Sequence, residues 1–79
     1  MVVRAYVLIE TQVGKTRDVV EAIRGLEGVV LVHAVTGPYD AVTTIEGASL
    51  NEIGLLVTAK IHSIKGISRT VTCLAIEGS

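Results

Sequence analysis

Two seven-residue stretches, IRGLEGV at 23–29 and IHSIKGI at 61–67, follow one template. Each has an isoleucine, a leucine or isoleucine three residues later, a charge, a glycine and then a β-branched residue. The spaced apolar pair lies on one helical face, the glycine stops the helix, and the β-branched residue opens a strand. A chain that twice passes from helix to strand in this way is predicted to consist of two equivalent strand–helix–strand units. The rest of the sequence agrees. VVRAYVLIE, 2–10, reads as a strand, and TRDVVEAIRGL, 16–26, as a helix with Val19, Val20, Ile23 and Leu26 on one face. VVLVHAVT, 29–36, and YDAVTTIE, 39–46, are strands joined by a Gly-Pro turn. Ser49 followed by Glu52 is a capping box, opening a helix that carries Ile53, Leu56, Val57, Ile61 and Ile64 and ends at Gly66. ISRTVTCLAIE, 67–77, is the last strand.

The order is therefore βαββαβ. Right-handed crossovers for both units give an α+β, ferredoxin-like domain over 1–79: a four-stranded antiparallel sheet with two helices on one face. A sheet covered on one face should alternate apolar and polar residues. These strands do not. Val3, Ala5, Val7 and Ile9 oppose Val2, Tyr6 and Leu8, and Val29, Leu31 and Val35 oppose Val30, Val32 and Ala34. Both parities are apolar, and the pattern leaves open which of them meets the helices.

Composition bears on this excess. The chain is 49% hydrophobic with a mean hydropathy of +0.59, yet a domain of this size buries only about 60% of its unfolded surface. An apolar run of the roughly 20 residues needed to span a bilayer is absent, so no membrane partner is expected. The first ten residues are too short and strand-like for a signal peptide. A second copy packing sheet against sheet is the economical cover for the bare face: a homodimer, and beyond it a larger ring.

A net charge of −1 with no basic face argues against nucleic acid. The single cysteine, Cys73, suits a reducing cytoplasm and reads as a small buried apolar residue. Two tyrosines are the only aromatics, too few for a stacking platform or an aromatic cofactor pocket. There is no CxxC or His/Cys cluster, no phosphate-binding glycine loop and no nucleophile with a base. No cofactor, metal or catalytic residue is expected. His33 reads as an interface or sheet residue, and His62 and the arginines as solvated. TGPYD, 36–40, remains. As a turn it needs nothing more than Gly37, Pro38 and a local hydrogen bond from Asp40. As a clamp, its glycine corner offers backbone N–H groups to a carboxylate and Asp40 offers a partner for an ammonium, the two ends of a free amino acid.

The succession Val35, Gly37, Tyr39, Asp40 between two strands, followed by Gly66, Ile67, Thr70 and Thr72, resembles the RAM domain of the Lrp/AsnC family of amino-acid-responsive regulators. The likeness covers nearly the whole chain and includes a Gly-Lys step, Gly14-Lys15, ahead of the first helix. It implies sheet-to-sheet dimers that assemble further, with an amino-acid effector between dimers. The matching positions are Thr36, Gly37, Tyr39, Asp40, Thr70 and Thr72. Family regulators carry a helix-turn-helix ahead of this domain, whereas this sequence opens on its first strand. The expectation is a stand-alone module without DNA binding, assembling with itself or with full-length Lrp/AsnC regulators. Two rival classes share the topology. A dimeric α+β-barrel enzyme of the monooxygenase or isomerase type would have only His33 and Tyr39 to work with. An ACT-like amino-acid-binding domain would use Gly14 and leave TGPYD unexplained.

Overall fold

The computed structural model describes residues 2–77. Its elements are β1 (Val3–Thr11), α1 (Thr16–Arg24), β2 (Val29–Ala34), β3 (Ala41–Gly47), α2 (Leu50–Leu55) running on into a π-helical stretch (Leu56–Ile61), and β4 (Ile67–Leu74). The strands lie in the order β2-β3-β1-β4, every neighbouring pair antiparallel, which is the ferredoxin-like α+β arrangement.

The twin templates are twin structures. Leu26 N–H donates to the Ile23 carbonyl at 3.0 Å, and Ile64 N–H to the Ile61 carbonyl at 3.1 Å. Gly28 and Gly66 follow at φ +96° and +100°, a left-handed backbone that glycine adopts without steric cost. Their carbonyls then accept from Glu46 N–H at 2.8 Å and Gln12 N–H at 2.7 Å, tying each crossover to the end of a central strand. At Gly66 a Cβ would also stand 2.9 Å from Lys15 Cβ and 3.1 Å from Val19 Cγ2. Gly66→Ala is therefore expected to destabilise the domain by about 2 kcal/mol, combining left-handed strain with overlap. Chemical denaturation checks this, and an unchanged midpoint would contradict the packing described.

Helix α1 buries Val19, Val20 and Ile23, with Asp18 in its first turn and Arg24 in its last, each complementing the helix dipole. At the start of α2, Ser49 Oγ accepts from Glu52 N–H at 3.2 Å, and Glu52 Oε2 accepts from Ala48 N–H at 2.6 Å. The capping box is there, its return bond one residue earlier than the usual partner. Past Leu55 the helix widens. His62 N–H donates to the carbonyl of Val57, five residues back, at 2.9 Å. Thr58 Oγ1 bonds the Gly54 carbonyl at 2.8 Å, a side-chain competitor inside the ladder. The helix that the sequence ran to Gly66 ends at Ile61.

The parity question is resolved in β1. Ala5, Val7 and Ile9 are buried with Ala41, Ile45 and Val32 against Val19, Val20, Ile23, Ile53, Val57 and Ile61. Buried Thr43 is satisfied by donating to the Leu31 carbonyl at 2.7 Å. The expected alternation in β2 is overturned. Val29 opposes Ile45 but Leu31 opposes Thr44, so Val30 is an extra, bulged residue. After it Val32 faces the helices, while Leu31 and His33 point away with Thr44 and Val42. A second bulge leaves Ser68 of β4 without an opposite number in β1.

The face away from the helices carries Tyr6, Leu8, Leu31, His33, Val42, Val71 and Cys73, all at matching registers. Cys73 is exposed, contrary to the buried position expected, because its register opposite Tyr6 puts it on this outer face. Ion pairs frame the apolar strip. At one end Arg4 Nε donates to Glu46 Oε2 at 2.8 Å, and the hydrogen bond and charge of Glu46 raise the guanidinium pKa. At the other, Arg69 Nη1 lies 3.7 Å from Glu10 Oε2.

Candidate functional site

Strands β2 and β3 stop short of the turn that joins them. The sequence placed strand at 29–36 and 39–46, whereas the ladder ends with Ala34 opposite Ala41. Val35 N–H then donates to the Asp40 carbonyl at 2.9 Å, closing the loop. Within it Pro38 has no N–H to offer a ladder, and Gly37 sits at φ +121°. A Cβ at Gly37 would meet nothing within 4 Å, so the glycine serves the backbone angle rather than a close approach. Thr36, Gly37 and Pro38 are exposed, and Tyr39 and Asp40 half-buried.

Asp40 is bound through three of its groups. Its N–H donates to the Ile9 carbonyl at 2.8 Å, its carbonyl accepts from Val35, and its Oδ2 accepts from Thr11 N–H at 2.8 Å. The carboxylate thus extends the β1–β3 ladder by one bond beyond the last backbone pair. Oδ1 has no hydrogen-bond partner among the described residues. A carboxylate held by one oxygen with the other free is fixed in place and still able to accept a hydrogen bond from a cation.

The other two predicted residues lie elsewhere. Thr70 opposes Ile9 and Thr72 opposes Val7, so both belong to the parity that faces the helices. Strand β1 separates them from β3, a lateral distance of about 10 Å at two strand spacings. Thr72 borders a mostly apolar recess of about 320 Å³ with Leu50, Ile53, Val57 and Leu74. Thr70 borders a more polar one of about 350 Å³ with His62, Ile67, Ser68 and Arg69. There His62 Nε2 and Thr70 Oγ1 are hydrogen-bonded at 2.9 Å. One protomer therefore does not bring the residues together as a single pocket: the Thr36–Asp40 turn stands apart from β4, and the two β4 threonines border separate recesses. His62, read from sequence as solvated, is exposed but engaged with Thr70. No spacing rule could have paired them, because a turn and a bulge intervene.

Among the described residues no three His, Cys, Asp or Glu side chains gather as metal ligands, and no helix is long and apolar enough to cross a membrane.

The family model for the Lrp/AsnC ligand binding domain matches residues 4–78. An uncharacterized HTH-type transcriptional regulator of Pyrococcus furiosus is 36% identical over 59 residues, which make up 75% of this chain and 39% of the relative. The chain thus spans about two-fifths of that curated relative's length. Among solved structures, TTHA0845 from Thermus thermophilus is similar at a TM-score of 0.92 and 36% identity, covering 98% of this chain and 96% of that one. The transcriptional regulator NMB0573 of Neisseria meningitidis, solved as an L-Met complex, shares the fold at a TM-score of 0.84 and 16% identity, over 95% of this chain and 50% of its own.

Proposed function

Since the chain belongs to the Lrp/AsnC ligand-binding domain family, we propose that it binds a free amino acid at a junction between copies of itself. It is a regulatory domain, and its relatives are named as transcriptional regulators rather than enzymes. That membership displaces both the α+β-barrel enzyme and the ACT-like reading. The L-Met complex of the Neisseria regulator supports an amino acid as the class of effector.

One observation carries the placement. The turn with Asp40 and the strand with Thr70 and Thr72 are separated by β1. A ligand as small as an amino acid touches both groups only where the turn of one copy meets β4 of another. In that setting the ammonium pairs with Asp40 Oδ1, and the carboxylate meets exposed N–H groups of the turn around Gly37. The outer sheet face supplies the first level of assembly. Leu31 and Tyr6, 42% and 39% exposed, are apolar area that a second copy's face would cover. Dimers joined in this way, with each other or with full-length Lrp/AsnC regulators, form the junctions that hold effector. DNA contact is left to such partners, because the seven basic residues of this chain are balanced by eight acidic ones and few phosphates could be neutralised.

The test is a thermal-shift screen of the chain against the twenty amino acids at millimolar concentration. One or a few are expected to raise the melting temperature, with stabilisation of about 2.7 kcal/mol at a hundred times Kd. A flat response to all of them would overturn the proposal.

A further inference from the structure

We propose that His62 reads the effector's side chain, and that the preferred amino acid has a hydrogen-bonding side chain rather than an aliphatic one. This rests on the binding reading above and adds what the site selects.

Thr70 is half-buried, and its hydroxyl is already paired with the His62 imidazole. His62 directly follows the widened helix. The extra residue in the turn ending at the His62 N–H to Val57 bond rotates the residues beyond it by about 100° relative to a continuous α-helix. From there His62 reaches Thr70 of β4, eight residues ahead in sequence.

The recess they border shows what it can recognise. Imidazole, the Thr70 hydroxyl and the Ser68 hydroxyl each both donate and accept hydrogen bonds. Ile67 is the only aliphatic side chain among its lining residues. Arg69 borders the recess, but its guanidinium leans toward Glu10 at 3.7 Å. A side chain ending in an amide or hydroxyl finds complementary groups there. A leucine or methionine side chain placed in this recess, rather than in the apolar one beside Thr72, would strip water from them and return nothing. The His62–Thr70 bond holds both groups in place before the ligand arrives, so little ordering is needed on binding.

Isothermal titration of the intact chain and of His62→Phe and Thr70→Val decides it, with glutamine, asparagine and serine set against leucine and methionine. The parent is expected to favour a member of the first set by about tenfold or more. His62→Phe should lose that discrimination, weakening the polar ligand about tenfold and leaving the aliphatic ones within about twofold, at an unchanged melting temperature. Thr70→Val should do the same. An aliphatic preference in the parent would overturn the inference and leave amino-acid binding standing. Equal weakening of every ligand in His62→Phe, together with a lowered melting temperature, would also overturn it, showing a pin between helix and strand. If no amino acid binds the parent, the inference falls together with the reading it rests on.

Discussion

Leu8→Asp is expected to convert the proposed sheet-to-sheet assembly into a folded monomer of 8.3 kDa. Leu8 stands opposite Val42 on one side and Val71 on the other, at the middle of the outer face. Under the proposed sheet-to-sheet packing it is covered by a partner, and a two-fold interface counts each substitution twice. Leu8 is already half-buried within one copy, so the area a partner adds, lost twice, is worth about 2 kcal/mol, on the order of thirtyfold in dissociation constant, before any penalty for enclosing a carboxylate. In the monomer position 8 is half-buried on the outer face, so the carboxylate keeps partial access to water and the fold should survive at reduced stability. Val7→Asp makes the contrast. Val7 is fully buried beneath the helices, and a charge there should unfold the chain. Light scattering with circular dichroism reads both variants. A parent that is already monomeric, or a Leu8→Asp protein of unchanged size, would remove the sheet face from the assembly.

At Asp40, the informative substitution is to asparagine. Alanine would confound two effects, because Oδ2 accepts from Thr11 N–H and that charge-assisted bond is worth roughly 1.5–3 kcal/mol. Asparagine keeps an acceptor for Thr11 and removes the charge. Asp40→Asn should therefore melt close to the parent and, under the proposed binding mode, hold an amino acid ten- to a hundredfold more weakly, the effect of losing one charge-assisted bond to an ammonium. Asp40→Ala should lose both binding and stability. Thr72→Val should cost about 1 kcal/mol of binding, the value of a neutral hydroxyl contact. Unchanged affinity in Asp40→Asn would make the residue a ladder extension and nothing more.

How much of this was legible in the sequence depends on how many arrangements each pattern permits. Val19, Val20 and Ile23 allowed one buried helical face, and that face is buried. The twin glycines read as helix stops, and both carry a left-handed backbone. In β2, however, Val29, Val30, Leu31 and Val32 are all apolar, so every register looked alike and the bulge had no signature. The π-helical stretch was hidden for a related reason. Ile53, Val57 and Ile61 are spaced by four, a spacing that keeps them on the core side whether or not the turn is widened. For the candidate site, the motif residues could be named, but their division between two faces and two strands is a property of topology. The His62–Thr70 bond is tertiary in origin and left no trace in the linear pattern.

The bulges at Val30 and Ser68 fall on β2 and β4, the two outermost strands, while the central β1–β3 pairing is uninterrupted. A bulge bends and overtwists its strand, so the rim of hydrogen-bonding groups it presents does not match another straight strand. Neighbouring molecules are thereby discouraged from adding rim to rim, a mode of growth that has no natural end. What remains attractive is the flat of the sheet, and that surface is used up once a second molecule lies on it. For a chain this rich in strand-forming, water-shunning residues, two misaligned rims work against open-ended growth.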